Sequence, residues 1–148
     1  MKGMTVIVKT ISSWVKVLII LFGIYIILFG HLTPGGGFAG GVILASSYVL
    51  LMLAFGREFV RRNLPLKLSS TLDCIGAFAF GMIAVLGLVF GDFFFENFLI
   101  QYSEQFNLIS AGTIPLSNIA IGLKVGASLF LVIFSLSICC KNTELDSN

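Results

Sequence analysis

Charged side chains are scarce in this sequence: they make up 11% of its 148 residues, whereas 57% of the residues are hydrophobic. Soluble domains typically carry roughly 25% charged residues, and so few polar side chains cannot cover a water-soluble surface. The composition excludes an ordinary soluble domain and predicts an integral, multi-pass protein of the cell membrane. The net charge is only +2 and the basic residues form no stripe, so we expect no nucleic-acid partner.

Groups that could bind a metal or catalyse a reaction are also few. The three cysteines, Cys74, Cys139 and Cys140, lie in or at the end of apolar segments, where cysteine most often acts as a small hydrophobe. Their spacing matches neither a disulfide framework nor a metal motif. No Ser/His/Asp set or paired carboxylates can be assembled. We therefore expect no catalytic residue, no metal and no cofactor, and a chain that is not an enzyme on its own.

Four apolar segments account for most of the chain, and each is near the roughly 20 residues that cross about 30 Å of hydrocarbon. They predict an all-α fold, a single transmembrane domain over residues 1–148, with helices at about 14–29, 36–55, 70–90 and 114–140. The N-terminal lysines and apolar run resemble a secretory signal, but no small-residue cleavage site follows. We interpret this segment as a retained first membrane helix.

Lysine and arginine are unevenly distributed between the connections. The N-terminal segment, the connection after the second helix and the C-terminal tail carry them, whereas the connections near residues 30–35 and 91–113 carry none. The positive-inside rule therefore predicts that both termini are cytoplasmic. In the outer connection, aromatic side chains recur every four residues, at Phe94, Phe98, Tyr102 and Phe106. This spacing predicts either an interfacial amphipathic helix within 91–113 or an aromatic-anchored extension of the third helix.

The most unusual stretch is glycine-rich and separates the first two apolar segments. Thr33 suits the N-cap of a helix and Pro34 its first position. The glycines that follow leave the first turns without side chains, so another backbone could approach closely; they are Gly35, Gly36, Gly37, Gly40 and Gly41. Each costs a helix about 1 kcal/mol relative to alanine, which predicts a close contact or an unusual backbone. No Lys-Ser/Thr follows, which excludes a nucleotide-binding loop.

Small residues also recur four positions apart on three of the predicted helices, a spacing typical of helix-packing faces in membranes. The pairs and triplets are Gly37, Gly41 and Ala45, then Ala77 and Gly81, then Gly122 and Gly126. They predict tight packing, either within the chain or against partner subunits.

Three polar residues are candidates for an ion path. Lys124 lies about ten residues into the fourth helix, and at ~1.5 Å per residue this is near the middle of the membrane. A charge there predicts a functional site or a pairing that fixes assembly. Asp73 lies near the cytoplasmic end of the third helix. Counted in helical rise, its depth in the membrane differs from that of Lys124 by about 10 Å, so a direct pair is not expected. His31, at the outer mouth, is either a proton-exchanging group or a turn residue that caps the first helix.

These residues carry a resemblance to a known family. Gly30-His31, then Pro34-Gly35-Gly36-Gly37-Phe38, then Gly40-Gly41 opening a helix resemble the motif of the MnhB (MrpB) family, and residues 115–125 are similar to that family's last helix. The family comprises small membrane subunits of multisubunit Mrp-type Na⁺/H⁺ antiporters. Related subunits occur in archaeal membrane-bound hydrogenase and sulfane-reductase complexes.

The resemblance implies a non-catalytic subunit that acts with other membrane subunits, in the lipid bilayer, on Na⁺ and H⁺. Two alternatives stay open: the equivalent sodium-module subunit of an electron-driven complex, and a purely structural adaptor. The single chain has too few internal polar residues to line a continuous pore, so we do not expect a free-standing channel.

Overall fold

The computed structural model describes residues 4–32, 34–91, 93–97, 99 and 111–146. Its helices are α1 (Val6–Leu28), α2 (Gly36–Phe55), α3 (Arg57–Asn63), α4 (Leu66–Phe90) and α5 (Ile114–Asp146), and the described residues contain no strand. Four segments are long and apolar enough to cross a membrane: α1, α2, α4 and residues Ile114–Cys139 of α5. The predicted all-α, four-span membrane architecture is confirmed.

The predicted helix bounds are right for α2 and too short for the other spans. The first helix begins at Val6 instead of residue 14, α4 begins at Leu66 instead of residue 70, and α5 continues to Asp146 instead of ending at residue 140. The predicted bounds followed hydrophobicity, whereas the helices continue beyond the apolar segments through polar residues such as Lys9 and Lys67. Glycines bound α2 on both sides, and Gly56, at φ 89°, separates it from the unpredicted short helix α3.

The four spans form a row in the order α1, α2, α5, α4. Helices α1 and α2 run antiparallel, α2 and α5 run parallel, and α4 runs antiparallel to α5, as their closest glycine contacts require. We call the end with the turn at residues 29–35 the glycine end. We call the other end, with the connection at residues 56–65, the basic end.

A compact apolar core closes the basic end. Leu51 and Met52 from α2, Val60 from α3, and Phe130 and Phe134 from α5 pack together, and Val60 is only 1% exposed. Lipid tails are as apolar as these side chains, so within the spans this core is stabilised by van der Waals packing and not by removal from water. The Arg57 guanidinium also donates a hydrogen bond to the carbonyl of Ser137. The short helix α3 is therefore fixed to α5 and does not hang freely from the ends of α2 and α4.

The connection between α4 and α5 begins as a turn. Phe94 and Phe95 form part of this turn, with Phe95 at φ 65°. The predicted interfacial helix falls largely on residues 101–110, and together with Phe98 these lie outside the described residues. Asn97 links the two ends of the connection: its amide donates to the carbonyl of Ala111 (2.8 Å), and its carbonyl oxygen accepts from the backbone N–H (2.8 Å) and hydroxyl (3.1 Å) of Thr113.

We expect Asn97→Ala to destabilise the protein by about 1–3 kcal/mol, because it leaves the backbone groups of Ala111 and Thr113 without their partners. The measurement is the melting temperature of the purified protein in detergent. The matched control is Asn63→Ala, since the Asn63 amide bonds only the exposed carbonyl of Phe59. Equal melting temperatures for the two variants would contradict the role of Asn97 in linking the two ends of the connection between α4 and α5.

Candidate functional site

Three polar side chains meet between α4 and α5, and we call them the polar cluster: Asp73, Lys124 and Ser128. The Lys124 ammonium lies 3.3 Å from Oδ1 of Asp73, and the Ser128 hydroxyl donates to the same oxygen at 2.6 Å. Both bonds reach Oδ1, and within the described part of the chain Oδ2 of Asp73 has no donor. The cluster therefore holds one carboxylate oxygen firmly and leaves the other open.

The close approach of α4 and α5 at Gly76 sets the register of the cluster. A Cβ atom at Gly76 would lie 2.8 Å from the backbone nitrogen of Lys124 and 2.9 Å from the carbonyl oxygen of Ala120. Asp73 lies three residues before Gly76, and Ser128 lies four residues after Lys124. Because the helices are antiparallel, these two offsets bring Asp73 and Ser128 to the same level.

The expectation that Asp73 and Lys124 would not pair directly is wrong. It rested on depths counted from the ends of the apolar segments, and those ends are not level between α4 and α5. Gly76 lies beside Lys124, and Asp73 is only about 4.5 Å further along α4 at ~1.5 Å per residue. A lysine side chain covers that offset, so the ion pair forms without a bridging water or a second subunit.

The polar cluster lies on the outside of the described chain, although it is inside two membrane-spanning helices. The side chains of Lys124 and Asp73 are 46% and 31% exposed. A charge facing hydrocarbon costs at least about 2.5 kcal/mol at the centre of a span. Charged residues in spans almost always face a bundle interior or a water-filled cavity, so this face is suited to contact with another subunit.

His31 does not join the polar cluster. It lies in the turn after α1, at the glycine end, and its neighbour Gly30 packs against Asn118. Asn118 is ten residues from Ser128 along α5, which is about 15 Å of helix. Both ring nitrogens of His31 are buried and have no hydrogen-bond partner among the described residues. The three ion-path candidates thus separate into a paired cluster and a remote histidine.

The glycine-rich stretch serves two different purposes. Helix α2 begins at Gly36 with Gly35 as its N-cap, so Pro34 does not take the first helical position as predicted. The predicted N-cap, Thr33, lies outside the described residues. Gly35 and Gly36 adopt φ values of 135° and 68°, which side chains disfavour. Gly37 follows as a packing residue, and its N–H donates to Oδ1 of Asn118 at 3.3 Å. The first two glycines therefore supply backbone freedom, and those that follow supply close contact.

The other small residues of the stretch pack within the chain. Gly40 faces Gly23 and Ile27 of α1, and Gly41 faces Gly122 and Gly126 of α5. These glycines form the two seams that join α1 to α2 and α2 to α5. The spacing of Ala77 and Gly81 is different: Ala77 is exposed, and a Cβ at Gly81 would meet no described atom within 4 Å. That face of α4 does not pack against the described chain.

Sequence reasoning missed two polar residues of these contacts. Ser128 is four residues after Lys124, so helical periodicity alone places both on one face of α5. Asn118 is an amide near the start of a membrane span, where polar groups seek partners between helices. Each carried a usable signal, but the partner of each depends on the register of two helices, which a single sequence does not contain.

Comparison with known proteins gives consistent matches. A family model described as "Domain related to MnhB subunit of Na+/H+ antiporter" matches residues 7–131. A putative antiporter subunit mnhB2 of Staphylococcus aureus (strain Newman) is 34% identical over 142 residues, covering 93% of this chain and 97% of the relative. An uncharacterized protein of Methanocaldococcus jannaschii is 37% identical over 142 residues, covering 90% of this chain and 52% of that protein.

Among solved structures, a chain of the membrane-bound sulfane sulfur reductase, an archaeal respiratory membrane complex, resembles this protein with a TM-score of 0.75 and 29% identity. The match covers 89% of this chain and 57% of that chain. This protein therefore spans about half the length of the archaeal proteins it matches and nearly the whole length of the staphylococcal relative.

Proposed function

Because this chain belongs to the family of the MnhB subunit of Na⁺/H⁺ antiporters, we propose that it is a non-catalytic membrane subunit of a multisubunit Na⁺/H⁺ exchange module. Its polar cluster contributes to the ion path at the contact with a neighbouring subunit. The transported ions are Na⁺ and H⁺. His31, remote from the cluster, is a second contact with the path at the glycine end.

The observation that carries this proposal is the exposed ion pair of Asp73 and Lys124 inside two spans. One oxygen of Asp73 is open, and the Lys124 ammonium has three N–H donors, so a neighbouring subunit can add a polar group to either. A carboxylate with one free oxygen is a suitable transient ligand for Na⁺ or H⁺.

A second candidate function places the same chain in an electron-driven complex. The likeness to a chain of the sulfane sulfur reductase supports it. The polar cluster would act in the same way, with exchange coupled to electron transfer in other subunits. The two functions differ in what drives the ions and not in what this chain contributes.

The test is exchange in everted membrane vesicles from cells that lack this chain but express its co-purifying subunits. We expect Na⁺-dependent collapse of an imposed pH gradient to be lost and to return with the wild-type chain. Exchange without the chain would contradict the proposal. Activity that requires a reductant indicates the electron-driven complex, and activity that needs only the gradient indicates secondary exchange.

We also propose that both termini and the basic end face the cytoplasm. The test uses Asn63→Cys and Leu32→Cys, one at each end of the bundle, in a chain whose three native cysteines are alanine. A membrane-impermeant thiol reagent added to intact cells should label the cysteine at position 32 and leave that at position 63 unlabelled. The reverse pattern would show the opposite orientation.

A further inference from the structure

The polar cluster leaves hydrogen-bonding capacity unused on the outside of the chain. Ser128 and Lys124 both bond Oδ1 of Asp73, and Oδ2 has no donor among the described residues. The Lys124 ammonium carries three N–H donors, and within the described part of the chain only one of them is used, on Asp73. The surface of the cluster therefore presents an open acceptor beside open donors, inside two membrane-spanning helices.

Lipid tails cannot use this hydrogen-bonding capacity, because hydrocarbon offers neither a donor nor an acceptor. Charged side chains within spans almost always face another part of a helix bundle or a water-filled cavity. The side chains of Lys124 and Asp73 nevertheless remain 46% and 31% exposed when all the described helices have packed. The group that covers them therefore lies outside the described residues, and it supplies at least one donor and one acceptor.

The charge of the cluster selects an uncharged neighbour. Asp73 and Lys124 carry opposite charges at 3.3 Å, so the pair is neutral overall. A third charged side chain from a neighbour would leave a net charge in the membrane interior, which is costly. A carboxamide or a hydroxyl adds no charge, and each contains both a donor and an acceptor. One such side chain can therefore bond Oδ2 of Asp73 and the Lys124 ammonium.

The shape of α4 indicates the side from which this neighbour approaches. Asp73, Ala77 and Gly81 lie four residues apart, so they follow one line along the helix, and we call this line the open face of α4. Ala77 and Gly81 are exposed, and a Cβ at Gly81 would meet no described atom within 4 Å. Ile75 lies two residues from Asp73 and from Ala77, ~200° around the helix, and its large apolar side chain is 50% exposed. Another backbone can come close on the open face, whereas the Ile75 side suits lipid.

Resting on the proposed function only for the presence of neighbouring membrane subunits, we propose that the open face of α4 binds one transmembrane helix of such a subunit. This helix presents an uncharged carboxamide or hydroxyl side chain, which donates to Oδ2 of Asp73 and accepts from the Lys124 ammonium. Its backbone lies close to Ala77 and Gly81. Because the partner holds Oδ2 by a hydrogen bond alone, Na⁺ or H⁺ can displace that donor and leave the ion pair in place.

The first test maps which side of α4 meets lipid. A lipid-soluble diazirine is photolysed in vesicles that contain either the full chain alone or its complex with the co-purifying subunits, and the labelled residues are identified by mass spectrometry. We expect assembly to abolish labelling of Ala77 and to leave labelling of Ile75 unchanged, so that Ile75 is the matched control. Equal labelling of Ala77 in the two samples would overturn the proposal.

Two substitutions of Ala77 separate a partner helix from a water-filled cavity. Ala77→Leu adds bulk against the partner backbone and should lower recovery of the co-purifying subunits about tenfold, a loss within the usual cost of overpacking. Ile75→Phe adds bulk on the opposite side and should leave recovery unchanged. In the assembled complex, Ala77→Cys should not react with a hydrophilic maleimide. Normal recovery of Ala77→Leu, or reaction of the thiol at position 77, would overturn the proposal.

The charge of the partner is tested with Asp73→Asn/Lys124→Gln, which removes both charges and keeps a hydrogen-bonding group at each position. An uncharged partner side chain loses no counter-ion, so recovery of the complex should match that of the wild-type chain. Loss of the complex would indicate a charged partner and would overturn the proposal. None of these readouts is ion exchange: the proposed function fails if exchange persists without the chain, whereas the proposed contact fails if Ala77 stays labelled in the complex.

Discussion

Replacing Lys124 by methionine is expected to lower Na⁺-driven proton exchange at least about tenfold while the complex still assembles. Methionine keeps much of the length and volume of the side chain but removes the charge, so the carboxylate of Asp73 loses its cation at 3.3 Å. An uncompensated charge in a span costs about 2.5–3.5 kcal/mol, and 1.4 kcal/mol is a factor of ten. The Asp73 carboxylate would then keep only its hydrogen bond from Ser128. The measurement is exchange in everted vesicles, normalised to the amount of assembled complex.

Lys16→Met is the matched control for this prediction. Lys16 is also a lysine within a membrane-spanning helix, but in the described part of the chain it contacts no carboxylate. Its replacement should leave exchange near the wild-type rate. Normal assembly together with unchanged exchange in Lys124→Met would show that the polar cluster has no transport role.

The exchanged pair Asp73→Lys/Lys124→Asp separates transport from assembly. The swap keeps one positive and one negative side chain at the same contact, so a purely structural ion pair would survive it. A path that needs the carboxylate on α4, beside Ser128, would not. We expect the swapped chain to assemble better than Lys124→Met and to exchange ions no faster. Recovery of exchange with recovery of assembly would favour the adaptor hypothesis.

The architecture could be predicted from the sequence because apolar length and charge are local properties. Glycines bound α2, so its ends at Gly36 and Phe55 could be predicted. The start of α1 could not, because hydrophobicity weakens before Trp14 although nothing breaks the helix there. Orientation stays a prediction, since the positive-inside rule describes insertion and not packing.

Some features of the candidate site could likewise be predicted from the sequence, and others could not. Asp73 and Lys124 are conspicuous because each is a charge in an apolar segment. The pairing of the two side chains could not be predicted from the sequence, because it depends on the register of α4 against α5. The close contact at Gly76 sets that register. The glycine spacing predicted close packing but not which faces pack: the Gly41 face meets α5, whereas the Gly81 face meets nothing described within 4 Å. The spacing of small residues identifies a packing face of a helix, but the element that packs against it is known only from the fold.

The contrast between those two faces predicts opposite effects of the same substitution. At Gly41 an added Cβ would lie 2.8 Å from the Gly122 carbonyl oxygen, 2.8 Å from Cβ of Val125 and 3.1 Å from the Gly126 nitrogen. Two of these are backbone atoms of α5, so the seam must open. We expect Gly41→Ala to destabilise the protein by about 1–3 kcal/mol, the usual cost of overpacking, measured as a lower melting temperature of the chain in detergent.

Gly81→Ala is the matched control, because it adds the same methyl group to another helix interior where there is open space. Alanine is favoured over glycine in a helix by about 0.5–1 kcal/mol, so the melting temperature should rise. Because both changes remove the same backbone freedom, their difference measures packing at the α2–α5 seam alone. A Gly41→Ala chain as stable as the Gly81→Ala chain would contradict close packing of α2 against α5 at Gly41. Repeating the pair in the assembled complex then tests the open face of α4: if a neighbouring subunit covers Gly81, the added methyl group stabilises the isolated chain and weakens the complex.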